Sequence, residues 1–327
     1  MAKIFLTRRL PDEGIELLKE HELEIYEGDA PPSKEEIIEG VRGKDALICL
    51  LTDRIDGEVM DASSRLKIIA NYAVGYDNID VGEATKRGIL VTNTPGVLTE
   101  TVADLTWALL MAIARRIVEG DKFMREGKFK GWAPKLLLGT DVYGKTLGII
   151  GAGRIGRAVA KRAKGFNMKV LYYSRRRNEE IERECNAKFV DLHTLLKESD
   201  YVSLHLPLTD ETYHLIGEKE LKMMKPTAYL INTARGKCVD EKALVRALEE
   251  GWIRGAALDV FENEPQLTPE LKKLDNVVLT PHIGSASYET RSRMAVMVAE
   301  NVIAALNGKI PPNCINPEAW KKSERNK

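Results

Sequence analysis

The sequence has few cysteines, no excess of either charge and no long apolar run. Its four cysteines lie far apart in a chain of 327 residues, with no CxxC pair and no cluster with histidine. This spacing argues against a disulfide framework and a zinc site, so we expect no metal. Lys plus Arg and Asp plus Glu each number 49. Because electrostatic binders of nucleic acid or membrane surfaces carry a basic excess, we expect neither kind of partner.

The longest uncharged, mainly apolar run covers only ten residues, Leu105 to Ala114. A membrane-spanning helix needs ~20 such residues. At the start of the sequence, only three apolar residues separate Lys3 from the polar Thr7. We therefore expect neither a signal peptide nor a membrane span, and we expect a cytoplasmic protein.

The residues that are abundant suit a folded protein with more than one core. Hydrophobic residues make up 44% of the chain and charged residues 30%, which is typical of packed rather than disordered proteins. At ~100–200 residues per domain, the length of the chain predicts two domains.

Short apolar runs alternate with amphipathic helical segments throughout the sequence. The first series of predicted strands comprises Lys3–Thr7, Leu23–Tyr26, Ala46–Leu51, Lys67–Ala73 and Ile89–Thr92. The second comprises Thr146–Ile150, Lys169–Tyr173, Tyr201–Leu206, Ala228–Asn232, Ala256–Val260 and Val277–Thr280. One long helix is predicted between the two series, at roughly Thr101 to Glu119, and another at Tyr288–Leu306. Continuous apolar strands are typical of parallel sheets covered by helices, so we predict an α/β fold with two doubly wound parallel-sheet domains.

The sequence Gly151-Ala152-Gly153-Arg154-Ile155-Gly156 follows a predicted strand and opens a predicted helix. A GxGxxG pattern alone occurs in many turns, but in this βαβ setting it predicts a dinucleotide-binding loop. The first glycine permits a tight turn, the second lets backbone approach a pyrophosphate, and the third lets helix and strand pack closely. The amides at the start of the helix would face the phosphates.

The residues after the next strand indicate which dinucleotide binds. An NAD site usually places Asp or Glu about 20 residues after the glycine loop, where it holds the ribose 2′-hydroxyl. Here that position carries Ser174, followed by Arg175 and Arg176. A hydroxyl and guanidinium groups suit a 2′-phosphate, so we expect NADP to be preferred, as NADPH, with NAD as the alternative. The other interpretation is that these arginines form a solvated surface run.

Arg235, Glu264 and His282 follow predicted strands of the second series. Open α/β sheets bind ligands beyond the carboxyl ends of their strands. An enzyme that reduces a 2-oxo acid needs a cation for the carboxylate, a proton donor for the carbonyl oxygen and a group that orients this donor. Arginine, histidine and a carboxylate supply these functions. Each residue alone could form a surface ion pair, but together, downstream of a dinucleotide loop, they predict a catalytic site.

These motifs resemble those of the D-isomer-specific 2-hydroxyacid dehydrogenase family. The matching segments are Asn71–Asp80, Gly151–Gly156, Asn232–Gly236, Asp259–Phe261 with Glu264-Pro265, and Thr280–Gly284. Within the family, the sequence most resembles glyoxylate/hydroxypyruvate reductases, because Ile283–Ala286 and Glu289–Arg291 follow the histidine. The resemblance spans nearly the whole chain.

The resemblance implies a Rossmann nucleotide-binding domain at residues 99–286, with a dimerisation arm, inserted into a flavodoxin-like substrate domain at residues 1–98 and 287–327. It implies a homodimer formed through roughly Thr99–Gly139. The further cofactor contacts that it implies are Thr101, Leu206, Pro207, Thr233, Ala234, Asp259 and Gly284. The amides of Val74 and Gly75 would hold the substrate carboxylate, Arg235 would grip the substrate, and His282 would be the acid/base paired with Glu264.

The resemblance also implies the reaction, which is hydride transfer that reduces glyoxylate or hydroxypyruvate to glycolate or D-glycerate with NAD(P)H. Two alternatives remain open. One is an NAD-linked D-2-hydroxyacid or phosphoglycerate dehydrogenase. The other is a dinucleotide-sensing scaffold similar to transcriptional corepressors that keep this fold and these three residues. Turnover of small 2-oxo acids would separate an enzyme from a scaffold.

Overall fold

The computed structural model of the protein describes residues 1–320, and the chain divides into two compact units. One unit comprises Met1–Leu98 and the segment from Ala286 onward, and the other comprises Thr99–Ser285. Residues 321–327, which the resemblance assigns to the substrate domain, lie outside the described residues. The strands in chain order are β1 Lys3–Leu6, β2 Glu22–Ile25, β3 Ala46–Cys49, β4 Ile68–Asn71, β5 Leu90–Thr92, β6 Thr146–Ile150, β7 Lys169–Tyr173, β8 Lys188–Phe189, β9 Tyr201–Leu204, β10 Tyr229–Asn232, β11 Gly255–Leu258 and β12 Val277–Leu279. The helices are α1 Asp12–Leu17, α2 Lys34–Val41, α3 Gly57–Asp61, α4 Val81–Lys86, α5 Thr99–Ala114, α6 Ile117–Arg125, α7 Arg154–Ala163, α8 Glu179–Cys185, α9 Leu192–Glu198, α10 Glu218–Met223, α11 Glu241–Glu249 and α12 Tyr288–Leu306, with 3₁₀ turns at Lys164–Phe166, Gly236–Cys238 and Pro269–Lys273.

The first unit is built on a five-stranded parallel sheet in the order β2-β1-β3-β4-β5. Strands β3 and β4 are buried along their whole length, as their continuous apolar sequences predict. The C-terminal α12 belongs to this unit and packs on α1, where a side chain at Gly14 would collide with Ala295. The ladder aligns Ala70 with Thr92, so the loops that follow β4 and β5 leave the sheet side by side.

The second unit is built on a seven-stranded parallel sheet in the order β12-β11-β10-β9-β6-β7-β8. The ladder aligns the last residues of six strands in one row, namely Ile150, Tyr173, Leu204, Asn232, Leu258 and Leu279. Because all of the strands are parallel, the loops that follow them emerge at one edge. The order reverses between β6 and β9, which is where open α/β sheets bind ligands. The predicted α/β class with two parallel sheets is confirmed.

The prediction of one continuous helix over Thr101–Glu119 is wrong, because the chain breaks into α5 and α6 around Arg116. Arg116 adopts a left-handed backbone with φ 54°. The carbonyl of Ala114 accepts a hydrogen bond from the amide of Thr140 at 2.8 Å. A side chain at Gly139 would lie 2.4 Å from that carbonyl oxygen. Packing by a segment distant in sequence therefore ends a helix that its local sequence would allow to continue.

The predicted strands agree with the structure to within two residues at each end, and the two-residue β8 has no predicted counterpart. Within residues 1–320, no helix combines the length and apolar character of a membrane span. All four cysteines are free, and the described part of the chain contains no group of three potential ligand side chains arranged to hold a metal ion.

Candidate active site

Most of the predicted site residues of the second unit lie at the carboxyl edge of its sheet. Gly151, Ser174, Thr233 and Asp259 directly follow β6, β7, β10 and β11. The amide of Gly151 donates to the carbonyl of Tyr173 at 2.8 Å, so the glycine loop lies beside the end of β7. The register of the parallel strands thus brings together residues that are more than a hundred positions apart.

The glycine loop has the backbone that a pyrophosphate site needs. Gly151 has a φ of 100°, and a side chain there would lie 2.4 Å from the carbonyl oxygen of His205. A side chain at Gly156 would lie 2.1 Å from the carbonyl oxygen of Gly151. Gly153, by contrast, is exposed and has no atom within 4 Å of an added Cβ. The outer face of the loop, at Gly153, is therefore open, whereas its inner face, at Gly151 and Gly156, is closely packed.

The start of α7 supplies further backbone amides beside the glycine loop. Its N-cap is Gly153, and no side chain caps the helix there. The amides of its first turn, at Arg154, Ile155 and Gly156, have no acceptor within the helix, and they lie at the positive end of the helix dipole. An open glycine followed by uncapped amides fits a dinucleotide pyrophosphate.

The residues after β7 are open to solvent. The Ser174 hydroxyl donates to the carbonyl of Arg176 in a tight turn. Arg175 forms an exposed ion pair with Glu211 at 3.4 Å, whereas Arg177 is bound by both carboxylate oxygens of Glu182. The guanidinium of Arg176 forms no ion pair with any described residue. Ser174 and the first two arginines are therefore accessible to a ligand, and the third is engaged within the protein.

The turn after β10 carries Arg235. The buried Asn232 fixes this turn, because its side-chain amide donates to the carbonyl of Arg235 at 2.9 Å and its oxygen accepts from the amide of Ala234 at 3.0 Å. The next residue is Gly236, where an added Cβ would lie 1.9 Å from the carbonyl carbon of Phe261. This glycine is required because the Arg235 turn packs directly on the backbone of the segment that carries Glu264.

Glu264 and His282 form a hydrogen-bonded pair. Their atoms Oε2 and Nδ1 are 2.8 Å apart, and the two side chains are 26% and 27% exposed. The other carboxylate oxygen of Glu264 accepts from the amide of Phe261 at 2.9 Å. Burial would raise the pKa of Glu264. This effect is outweighed by the hydrogen bond and charge of His282, by the Phe261 amide and by the charge of Arg235, so the pKa lies below its usual value. Glu264 is thus an ionised partner that leaves Nε2 of the imidazole available for proton transfer.

Asp259 anchors the loop that carries the histidine. Its buried carboxylate accepts from the Thr280 hydroxyl at 2.6 Å and from the amides of Ile283 and Gly284 at 2.8 Å each. Burial raises the pKa of Asp259, while these donors and His282 oppose that rise. His282 itself adopts a left-handed backbone with φ 53°, a strained conformation that surrounding contacts must impose. No local pattern signals this anchoring role, because the partners of Asp259 lie 21 to 25 residues away.

A second His–Glu pair supports the Glu264 segment. His214 Nε2 lies 2.8 Å from Glu262 Oε1. The amide of Glu262 donates to the buried carboxylate of Glu241 at 2.5 Å, and the Thr268 hydroxyl donates to the same carboxylate. The two ends of the Glu262–Thr268 segment are thereby attached to α11. Sequence reasoning finds no partner for His214, and only the tertiary structure reveals one.

The other predicted cofactor residues of this unit are placed as follows. Thr233 shares a 2.8 Å hydrogen bond with Thr106 of α5, and Thr101 lies near the start of the same helix. Leu206 and Pro207 follow the end of β9 after His205. The His205 ring bonds to the Ser203 hydroxyl at 2.9 Å, and burial lowers its pKa to about 3. His205 is therefore neutral at ordinary pH.

In the first unit, the predicted substrate residues Val74 and Gly75 lie in the loop after β4. Both are partly exposed. The carbonyl of Val74 accepts from Asn93, which the sequence analysis does not select, and that of Gly75 accepts from Asn71, at 2.7 Å each. The sequence analysis names Asn71 only as the start of a matching segment and assigns it no role.

Comparison with known proteins gives the family. Residues 107–284, more than half of the chain, match the model of the D-isomer specific 2-hydroxyacid dehydrogenase NAD binding domain. A glyoxylate reductase of Korarchaeum cryptofilum (strain OPF8) is 62% identical over 323 residues, which cover 98% of this chain and 97% of that one.

Solved structures agree with this assignment. A protein from Thermus thermophilus matches with a TM-score of 0.91 and 50% identity, covering 96% of this chain and 99% of that one. An NADPH-dependent glyoxylate/hydroxypyruvate reductase of Sinorhizobium meliloti, in complex with NADP and malonate, matches with a TM-score of 0.85 and 33% identity, covering 97% of each chain. This chain belongs to the D-isomer-specific 2-hydroxyacid dehydrogenase family.

Proposed function

We propose that the protein reduces glyoxylate or hydroxypyruvate to the 2-hydroxy acid with a reduced nicotinamide dinucleotide. The observation that carries the proposal is the 2.8 Å hydrogen bond between His282 and Glu264, at the same sheet edge as the open glycine loop. The names of similar proteins, glyoxylate reductase and glyoxylate/hydroxypyruvate reductase, support the substrate class.

The glycine loop and its neighbours would hold the dinucleotide. The amides of residues 154–156 bind the pyrophosphate, and Gly153 lets it approach the backbone. Thr101, Leu206, Pro207, Thr233, Ala234, Asp259 and Gly284 are proposed as further contacts. When bound, the cofactor supplies a hydride to C2 of the substrate.

The protein's own side chains would bind the substrate and move the proton. Arg235 binds the substrate carboxylate, as a guanidinium binds two oxygens at once. The amides of Val74 and Gly75 are proposed as further contacts with the substrate. Protonated His282 donates its Nε2 proton to the oxygen on C2, and the ionised Glu264 orients the ring and stabilises its charged form. In the oxidative direction, His282 accepts that proton.

We propose that NADPH is preferred over NADH. Ser174, Arg175 and Arg176 are accessible after β7, and no carboxylate stands among them to hold a free ribose 2′-hydroxyl. Arginine forms charge-assisted hydrogen bonds with phosphate that are worth ~1.5–3 kcal/mol each, which is enough for about a tenfold preference.

We also propose a homodimer formed through α6 and the segment after it. This region exposes a run of apolar side chains, namely Ile117, Val118, Met124, Phe129, Trp132 and Leu138. Trp132 is 84% exposed. Clustered exposed apolar groups with an aromatic residue are typical of protein interfaces, and the mass of the protein in solution tests this proposal.

Steady-state assays with glyoxylate and hydroxypyruvate, each with NADPH and with NADH, test the proposed reaction. We expect turnover with both acids and a higher kcat/KM with NADPH. A protein that binds the dinucleotide but reduces neither acid would instead be a scaffold. If the protein reduced both acids but had a higher kcat/KM with NADH than with NADPH, only the proposed cofactor preference would be contradicted.

A further inference from the structure

Three successive carbonyl groups in the loop after β4 are bound by donors from β4 and from the end of β5. The carbonyl of Ala73 accepts from the amide of Thr94 at 2.9 Å. The carbonyl of Val74 accepts from Nδ2 of Asn93 at 2.7 Å, and that of Gly75 accepts from Nδ2 of Asn71 at 2.7 Å. Every peptide plane from residue 73 to residue 76 is therefore fixed by a donor on its carbonyl side.

A fixed carbonyl also fixes the amide on the other side of the same peptide. In a planar trans peptide the C=O of one residue and the N–H of the next point in opposite directions. The amides opposite these three carbonyls belong to Val74, Gly75 and Tyr76. In the part of the chain that the structure describes, none of them donates to a protein acceptor. The loop thus presents three unpaired N–H groups, an arrangement suited to an anion.

Asn71 and Asn93 reach this loop because of the sheet register. The ladder pairs Ala70 with Thr92, which places the two asparagines next to each other at the carboxyl edge. Asn71 is fully buried, and its amide also donates to Asn78 Oδ1 at 3.3 Å. Nδ2 of Asn78 donates to the carbonyls of Leu50 and Asp53 at 3.0 Å each. Asn71 is therefore itself oriented by a network that leads to the loop after β3.

We propose that Asn93 and Asn71 are positioning residues for carboxylate recognition, because they fix the orientation of the Gly75 amide, one of the proposed substrate contacts, and of the neighbouring Tyr76 amide. The inference rests on the proposed contact between this loop and the substrate carboxylate. An asparagine side chain supplies the donor without adding a charge near the anion, whereas a lysine or aspartate would change the electrostatic potential there. Removing either donor leaves its carbonyl unpaired and lets that peptide plane rotate.

Asn93→Ala is the test variant, since Asn93 is only partly buried, and Asn71→Ala is a second variant if it folds. Asn316→Ala is the matched control. Asn316 is a buried asparagine of the same unit that binds the carbonyl of Ile89 and the amide of Val91, away from the loop. For each protein we would measure the KM for glyoxylate, kcat, the inhibition constant of oxamate (an unreactive 2-oxo acid analogue), the Kd of NADPH and the Tm.

We expect Asn93→Ala to raise the KM for glyoxylate and the inhibition constant of oxamate by about tenfold, the effect of one lost hydrogen bond. We expect kcat to change less than KM and the Kd of NADPH to stay at its wild-type value. Asn316→Ala should lower the Tm without changing the KM. Equal rises in KM for the test and control variants, or an unchanged KM in Asn93→Ala, would overturn the positioning role.

Protein labelled with ¹⁵N-glycine separates this inference from the proposal on which it rests. In the wild type, oxamate should shift the Gly75 amide resonance, and in Asn93→Ala that resonance should already be displaced before oxamate is added. No shift in the wild type would contradict the carboxylate site itself. If oxamate shifted the Gly75 resonance equally in the wild type and in Asn93→Ala, the carboxylate site would be supported and the role of Asn93 refuted.

Discussion

Asp259 Oδ2 accepts a hydrogen bond from the amide of Gly284 at 2.8 Å, and this contact holds the histidine loop to the end of β11. The other oxygen of Asp259 binds the Thr280 hydroxyl and the Ile283 amide. Both sides of His282 are therefore attached to one buried carboxylate. We infer that Asp259 maintains the left-handed backbone of His282 and with it the direction in which the imidazole points.

Asp259→Asn should lower kcat by about a hundredfold, since a misplaced catalytic group costs that much. The new amide group would face the donors of Ile283 and Gly284, leaving at least one of them unpaired. Thr280→Val, which removes only one of the three donors, should have a smaller effect. Steady-state kinetics and the Kd of NADPH check this prediction. If kcat were unchanged and only the Kd of NADPH rose, Asp259 would contribute to cofactor binding alone, and its role as the anchor of the histidine loop would be refuted.

Glu264→Gln should reduce the rate of glyoxylate reduction by about tenfold or more at neutral pH. The substitution keeps the size of the side chain and removes the charge that stabilises protonated His282. Because reduction consumes that proton, the loss should appear in both kcat and kcat/KM for glyoxylate. Steady-state kinetics at neutral pH measure this change, and a wild-type rate in Glu264→Gln would contradict the role of Glu264.

The same carboxylate should make folding stability depend on pH. Since the folded protein holds the pKa of Glu264 below its usual value, the ionised group stabilises the folded state at pH above the unfolded pKa, ~4.3. This stabilisation is lost as the pH falls through the lowered pKa. The Tm difference between the wild type and Glu264→Gln should therefore shrink as the solution is acidified, which thermal unfolding at a series of pH values would show.

Ser174→Asp should weaken the binding of NADPH by about tenfold or more and the binding of NADH less. The reason is that a carboxylate repels a 2′-phosphate but accepts a hydrogen bond from a 2′-hydroxyl. Arg176→Ala should act in the same direction. Arg177→Ala is the matched control, since Arg177 is already bound by Glu182, and it should leave the preference unchanged. The ratio of kcat/KM for the two cofactors is the measurement. Equal losses with both cofactors in Ser174→Asp would rule out the phosphate contact.

Two glycines of one loop should respond in opposite ways to alanine. Gly153→Ala has room in the protein, so the Tm should stay the same while the Kd of the dinucleotide rises, because the methyl group would meet the pyrophosphate. Gly156→Ala places a carbon 2.1 Å from the Gly151 carbonyl oxygen, so the Tm should fall. Thermal unfolding and cofactor titration of both variants check the pair. A lower Tm for Gly153→Ala would show that the outer face is not open.

Local sequence determines most of the fold here, and distant contacts determine the rest. The strand Thr146–Ile150 is predictable to the residue, because its apolar run and the following glycine loop are both local signals. The break at Arg116 is not predictable, since it depends on Gly139 and Thr140 packing against the end of α5. Periodicity carries no information about that contact.

The candidate site shows the same division. Arg235, Glu264 and His282 are recognisable because each follows a strand and has a residue type with a clear chemical role. The supporting roles of Asp259, Glu241 and Asn232 are not recognisable, because these residues act through hydrogen bonds whose partners only the folded chain supplies. The sequence selects Asp259 and Asn232 only through the family resemblance. Asn71 begins a segment that matches the family and Asn93 belongs to none, but nothing in the sequence shows that the two meet at one loop, which follows from the register of β4 and β5.

The most direct test of the account is the turnover of His282→Asn with glyoxylate and NADPH, measured beside the Tm and the Kd of NADPH. If His282 is the proton donor, kcat should fall by about a hundredfold or more, while the Tm and the Kd stay close to wild-type values. Near-wild-type turnover by the folded, cofactor-binding variant would contradict the proposed chemistry.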